Sequence, residues 1–280
     1  MRRERVSDDI YVFTSDLYAQ VTASAVVTDE GVIVIDTLPF PEETRAMIDF
    51  LERLGRGEIR YLINTHWHGD HTNGNFLFDK AQLVGHALCV EALRELGAQA
   101  LEEAKESSPE LLEEAYLCVA DITFDQGDMF LHLGEKSLQM VLTPGHTPDS
   151  TVVYVREDKI LLASDTVMPL PYFVWGNRED FITSLGRVLE FNLESIVQGH
   201  GEVLLRGEIQ ESIRSSIKYL NLIHKQVKRV VEAGEGVEAL RRIDIESCGK
   251  SRIPLNGLVQ DLHQSNLLAL YQQMTNGNRG

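Results

Sequence analysis

His66-Trp67-His68-Gly69-Asp70-His71 follows directly on the apolar run Tyr61-Leu62-Ile63-Asn64-Thr65. An apolar strand ending in three imidazoles and a carboxylate is costly to bury unless something organises those groups. Three more polar motifs follow strand-like runs. They are Pro144-Gly145-His146-Thr147 after Leu138 to Leu142, Ser164-Asp165-Thr166 after Ile160 to Ala163, and Gln198-Gly199-His200-Gly201 after Ser195 to Val197. Donors at the exits of several strands can converge on one crevice of a sheet. Imidazole and carboxylate are ligands for zinc and other first-row ions. Spacing divides the donors: His66 and His68 alternate on one extended side and can meet one ion, while Asp70 and His71 lie further round the turn and can meet a second. His146 and His200 complete the two sets, and the two oxygens of Asp165 can bridge them.

The remaining four histidines, His86, His132, His224 and His263, stand alone and read as hydrogen-bonded residues. His86 is the least secure of these, because it too follows a strand.

Around these motifs, strands alternate with helices in two successive halves, which argues for an α/β layer architecture. Ile10 to Thr14, Ala23 to Thr28 and Gly31 to Asp36 are β-branched and apolar, with Asp29-Glu30-Gly31 as a hairpin turn, so the sheets are mixed. Pro41 opens a helix with Met47, Ile48, Leu51 and Leu54 on one face. Ala87 to Leu117 is helical and acidic, broken at Ser107-Ser108-Pro109; it reads as a lid over the crevice or as a peripheral insertion. Strands resume at Asp121 to Phe124, Met129 to Leu133, Ser137 to Leu142, Thr151 to Val155, Lys159 to Ala163 and Ser195 to Gln198, with a helix over Glu179 to Phe191. Residues 1–206 form a catalytic domain and 207–280 a helical extension packed on it, with helices at Ile209 to Ala233, Val237 to Ile243 and Leu258 to Met274. The tail Asn276-Gly277-Asn278-Arg279-Gly280 is expected to fray.

Composition narrows the function. With 43% hydrophobic and 25% charged residues, the chain suits a soluble globular protein with a large core. A formal charge of -17 opposes nucleic acid, since it repels phosphate backbones. The one basic cluster, Lys225, Lys228 and Arg229, reads as a solvated helix face. No apolar run is long enough for a membrane span and the basic start leads into acidic residues, not a secretion signal. Three cysteines without paired spacing fit a reducing cytoplasm. A small-molecule substrate is the expected partner, with a homodimer through the C-terminal helices possible in principle.

The HxHxDH pattern, followed in order by Gly-His, Asp and Gly-His-Gly, resembles the metallo-β-lactamase superfamily from about Ile10 to Glu202. The resemblance implies a four-layer αββα sandwich of two mixed sheets with metals at one edge. It implies His66, His68 and His146 on one ion, Asp70, His71 and His200 on the other, and Asp165 bridging. Ser164 stands where glycine is common and Gln198 where proline is common; neither removes a ligand. The expected cofactor is two divalent ions, zinc first, with iron or manganese as alternatives.

The expected activity is a binuclear metal-dependent hydrolase. A metal-bridging hydroxide would attack a small ester, lactone, thioester or phosphoester, with Asp70 orienting it or relaying its proton. Asp165 departs from β-lactamases that place cysteine there. Thr147 and Ser150 either brace ligands or bond locally in a turn. Met168 to Asn177 is expected to wall an apolar pocket or to plug the core. Within it, Tyr172 is a candidate hydrogen-bond donor to the substrate oxygen, as a tyrosine is in similar lactonases. Trp67 reads as a pocket or shell residue. The rivals are a mononuclear iron oxidoreductase resembling the sulfur dioxygenases, using His66, His146 and Asp165, and a non-catalytic metal-binding protein.

Overall fold

The computed structural model describes residues 1–276. Of the tail expected to fray, Asn276 ends the last helix and residues 277–280 lie outside the described residues. Two mixed sheets face one another. The first runs in chain order through β1 (Arg2–Arg5), β2 (Ile10–Thr14), β3 (Thr22–Thr28), β4 (Gly31–Ile35), β5 (Ile59–Asn64), β6 (Gln82–His86) and β7 (Ile122–Phe124). The second holds β8 (Met129–Leu133), β9 (Lys136–Leu142), β10 (Thr151–Val155), β11 (Ile160–Ser164), β12 (Ser195–Gln198) and β13 (Leu204–Leu205), in the order β13-β12-β11-β10-β9-β8. Hairpins build the outer part of each sheet. Parallel pairs β4–β5, β5–β6 and β11–β12 bring the ends that carry the polar motifs to one edge.

The layers follow from which face of each strand is apolar. Ile10, Val26, Ile33, Ile63 and Val84 of the first sheet meet Leu138, Met140, Val153 and Leu162 of the second in the central layer. The other face of the first sheet carries small or branched residues (Ala23, Ala25, Val27, Val34). It takes Met47 and Leu51 of α1 (Pro41–Arg53). Short helices α2 (Gly69–Thr72), α3 (Ala87–Ala92), α4 (Ala98–Ser107) and α5 (Pro109–Leu112) follow β5 and β6. The outer face of the second sheet (Val152, Leu161, Ala163, Ile196) packs on α6 (Arg178–Val188), α7 (Arg206–Glu232) and α8 (Val259–Asn276). Phe181, Ile213, Tyr219 and Leu267 are fully buried there. Each such side chain contributes roughly 1.5–3 kcal/mol by leaving water. The result is the αββα sandwich, with the C-terminal helices sharing one core with the second sheet.

Several boundaries differ from the sequence reading. Arg2–Arg5, read only as a basic start, is an edge strand pairing with β2; every side chain there is exposed, so no apolar pattern betrayed it. The strand expected to reach Asp36 stops at Ile35, because Asp36 turns into a left-handed conformation (φ 59°). The helix expected to reach Phe191 ends at Val188, and Val237–Arg242 is a tight 3-10 turn, not an α-helix. Lys225, Lys228 and Arg229 are exposed, the solvated face expected of them. No helix among the described residues is long and apolar enough to cross a membrane.

Candidate metal centre

The first motif leaves β5 and turns at once. Thr65 and His66 follow the strand, and His68 is extended (φ -60°, ψ 142°) before Gly69 opens α2. His66 and His68 therefore reach in from the loop, while Asp70 and His71 reach in from the first turn of α2. Two glycines allow the other motifs to approach. Gly145 has φ 148°, and a Cβ there would strike Phe181 of α6. A Cβ on Gly199 would overlap Asp165 Oδ1, so His200 can follow β12 at this level only behind a glycine.

The loops form two nests. In the first, donor atoms of His66, His68, His146 and Asp165 all lie within 4.8 Å of one another; in the second, those of Asp70, His71 and His200 do. His68 Nδ1 is 3.2 Å from His66 Nε2 and 2.9 Å from His146 Nε2. Asp165 reaches both nests: Oδ2 is 3.2 Å from His146 Nε2 and 3.3 Å from His200 Nε2, and Oδ1 is 3.2 Å from His71 Nε2. Asp70 Oδ2 lies 3.6 Å from His200 Nε2 and 3.9 Å from His71 Nε2.

Protonation separates two pairs of these histidines. Burial, with the neighbouring His71, holds His66 well below the usual imidazole range. Burial and His146 push His68 down to about 3. Burial also opposes charge on His71 and His200, but Asp165 overrides it: His71 is held well above its ordinary value and His200 is raised. Burial disfavours charge on Asp165 too, yet His200 and His71 hold that carboxyl well below the carboxylate range. His71 Nε2 and Asp165 Oδ1 face one another at 3.2 Å without hydrogen-bond alignment, and both are buried with no other partner. Crowded, unprotonated nitrogens beside orphaned donors are what a divalent cation would satisfy. The His/Asp cluster suits a divalent metal.

The profile of the family described as Metallo-beta-lactamase superfamily matches residues 18–221. The chain belongs to the metallo-β-lactamase superfamily. A Caenorhabditis elegans relative, "Beta-lactamase-like protein 2 homolog", is 22% identical over 65% of this chain and 55% of its own length. The chain spans about half of this relative's length, 55%, and 38% of the lactamase-like protein adaB of Aspergillus niger. A solved metallo-β-lactamase from Pontibacter korlensis superposes with a TM-score of 0.63 at 19% identity, covering 76% of this chain and 97% of that one. A stereoselective inverting sec-alkylsulfatase from Pseudomonas sp. gives 0.75 at 15% identity, covering 97% of this chain and 50% of its own. These structural likenesses establish the metallo-β-lactamase fold.

Within that fold, three of the histidines, His71, His146 and His200, are aimed by a second bond, whereas His68 turns Nδ1 to the cluster and leaves Nε2 buried without a partner. His71 Nδ1 donates to Asp36 Oδ2 at 3.1 Å, His146 Nδ1 to the Tyr172 carbonyl at 2.6 Å, and His200 Nδ1 to the Ala19 carbonyl at 3.0 Å. Each Nε2 is thereby turned to the cluster. Asp36 also accepts from Thr65 N at 2.8 Å and Thr65 Oγ1 at 2.7 Å. Ser164, where glycine was the common residue, keeps a left-handed φ of 43°. Its hydroxyl lies 2.8 Å from Thr65 Oγ1 and 3.1 Å from Asp36 Oδ2. Two left-handed L-residues in contact are a strained pair held by this bonding. Sequence reading missed Asp36, although it too ends an apolar strand, Val32 to Ile35.

Tyr18 was missed as well. Burial raises its phenol, and Asp70, Tyr172 and Asp165 add to that, while about half of the residue, 49%, stays exposed. Its loop is pinned by Thr22 N to the Gly199 carbonyl at 2.8 Å and by a bridge between Val21 and His200. No periodic signal marks such a loop.

Other candidates resolve individually. Thr147 and Ser150 bond one another (Thr147 N to Ser150 Oγ, 3.0 Å), the local turn and not a ligand brace. Of the 168–177 segment, Leu170 and Phe173 plug the core, while Val174 and Trp175 are exposed. Trp67 is buried against His68 and meets Trp175 edge-on at 5.5 Å. Leu93 and Leu117 of the helical insertion pack behind Trp67. His86 Nδ1 caps α3 through Leu88 N, and His263 is buried between Tyr219 and Ile243. His132 is exposed beside Ser137, and His224 is half-buried.

Proposed function

We propose that this chain is a dinuclear metal-dependent hydrolase of a small ester, lactone, thioester or phosphoester. One observation carries the reading: two donor nests meet at a single carboxylate, Asp165, which lies within 3.3 Å of an imidazole in each. His66, His68 and His146 would hold one ion, Asp70, His71 and His200 the other, with Asp165 between. When bound, such a pair acidifies a shared water and polarises the substrate oxygen. Zinc fits the nitrogen-rich first nest best.

The chain's own residues supply the rest. Asp70, with 21% of its side chain open, is the cluster carboxylate placed to take a proton and pass it to solvent. Burial raises the phenols of Tyr172 and Tyr18, so both remain hydrogen-bond donors at neutral pH. Each is suited to an oxygen that gains charge in the transition state. Trp175, Val174, Leu17 and Tyr18 expose apolar surface. With Trp175 on Trp67 and Tyr18 near Asp70, that surface favours a substrate with an apolar substituent. Three free cysteines support a reducing, cytoplasmic setting.

The test is metal content followed by a panel of lactones, thioesters, phosphodiesters, alkyl sulfates and activated carboxylic esters. The alkyl sulfate joins because one structural neighbour is a sec-alkylsulfatase. Two ions per chain with turnover abolished by chelation is the expected result. One iron per chain with substrate-dependent oxygen uptake would replace the hydrolase with an oxidoreductase.

A further inference from the structure

The C-terminal helix α8 reaches the metal cluster through one amide. Asn266 is fully buried. Its Oδ1 accepts from Phe173 N at 3.2 Å, and its Nδ2 donates to the Pro171 carbonyl at 2.7 Å. These two bonds bracket Tyr172, as a neighbouring β-strand would. The residue between them has its carbonyl 2.6 Å from His146 Nδ1. The remaining Nδ2 hydrogen points to Tyr219 Oη at 3.3 Å. Tyr219 Oη lies 2.9 Å from His263 Nδ1, and His263 Nε2 donates to the Ile243 carbonyl at 2.9 Å. The amide's orientation is therefore fixed: exchanging its oxygen and nitrogen would break both loop bonds.

We propose that Asn266 is a positioning residue for the metal centre, acting through the 171–173 main chain to aim His146. This rests on the metal reading of His66, His68 and His146 given above. The 171–173 loop has no regular secondary structure of its own to direct the Tyr172 carbonyl. Phe173 anchors one side in the core, and Asn266 supplies the directional bonds on both sides of Tyr172. A buried amide that satisfies main-chain groups in an irregular segment fixes one conformation, because any other leaves those groups unpaired. The helical extension thereby belongs to the metal site, although it contributes no ligand.

The test compares Asn266→Leu and Asn266→Asp with Val227→Ala, a core truncation on α7 away from the loop. The aspartate keeps an acceptor for Phe173 N but loses the donor to Pro171. Zinc affinity is measured by competition with a chelator, the visible spectrum of the cobalt-substituted protein reports ligand geometry, and melting of the metal-free protein reports stability. The wild type binding zinc at the three-histidine nest comes first; its failure to bind would sink the proposed function itself. Given binding, Asn266→Leu should weaken zinc about tenfold, the low end for residues that orient ligands. Its cobalt spectrum should change, and Asn266→Asp should fall between it and wild type. Val227→Ala should melt earlier with unchanged zinc affinity and spectrum. Should Asn266→Leu not fold, Asn266→Asp decides alone. Wild-type affinity and spectrum in the folded Asn266 variants would reduce Asn266 to a packing residue and overturn the inference.

Discussion

The two nests at the sheet edge are built from the same residue types, yet two histidines in each are pushed in opposite directions, His66 and His68 toward the neutral ring and His71 and His200 toward the charged one. At His66 and His68 burial outweighs the pull of Asp165, with neighbouring imidazoles adding to it, so their rings are neutral at ordinary pH. His71 and His200 are buried as deeply but sit against Asp165, which raises both above the ordinary imidazole value, His71 the more strongly. Burial alone lowers an imidazole; burial beside a carboxylate can raise it, because the pair shares the desolvation. The first nest is poised to receive a cation. The second must give up protons to do so.

Removing the carboxylate that joins the nests should have the largest effect. Asp165→Ala should empty both, with activity lost by far more than the 10–100-fold typical of supporting residues. Metal analysis and turnover check this, and a variant that keeps two ions would dissolve the notion of a shared bridge. Next, Asp70→Asn should lower turnover about 10²-fold or more with the fold intact. Circular dichroism and kinetics test it, and wild-type rates would remove its proton-relay role.

Acidity sharpens the comparison. At pH 5.5 one ion should bind tightly, since His68 is proton-free down to about 3. Uptake of a second ion should strengthen as pH rises toward 8, by about tenfold per pH unit for each proton expelled. The sign follows from His71 and His200 being raised above 6.5: protons compete below their folded values and leave above them. Calorimetry in buffers of different ionisation enthalpy would count the protons. Equal uptake of both ions at both pH values would break the distinction.

A smaller and lopsided effect is expected from Asp36→Asn. It should weaken metal binding roughly 10–100-fold, chiefly in the second nest, because His71 loses its orienting carboxylate. Trp175→Ala should be the mildest. Raised KM for substrates with an apolar substituent, by about two- to tenfold, is expected with metal content unchanged.

The residues of the two donor nests were legible because each follows an apolar strand, and the ends of β9, β11 and β12, which run the same way, lie at one edge. The layered fold was legible for the same reason: Ile10 to Thr14 and Ser137 to Leu142 carry their burial in their composition. Asp36 carried the same signal as Asp165 but lacked a histidine beside it. Tyr18 and Asn266 carried none. Their roles come from a loop pinned to His200, 181 residues away from Ala19, and from a helix amide that meets a distant turn, and such contacts have no local pattern. Arg2–Arg5 was missed because an exposed edge strand needs no apolar face.

The bridge between Val21 and His200 sets a condition on assembly. A chain emerging from the ribosome makes the Ala19 carbonyl early and the imidazole that docks on it very late. Contacts of such long sequence separation form slowly, because a large loop must close first. An ion captured by His66 and His68 during synthesis would sit in an unfinished cup. The finished centre can arise only when the two halves of the sandwich have shut together.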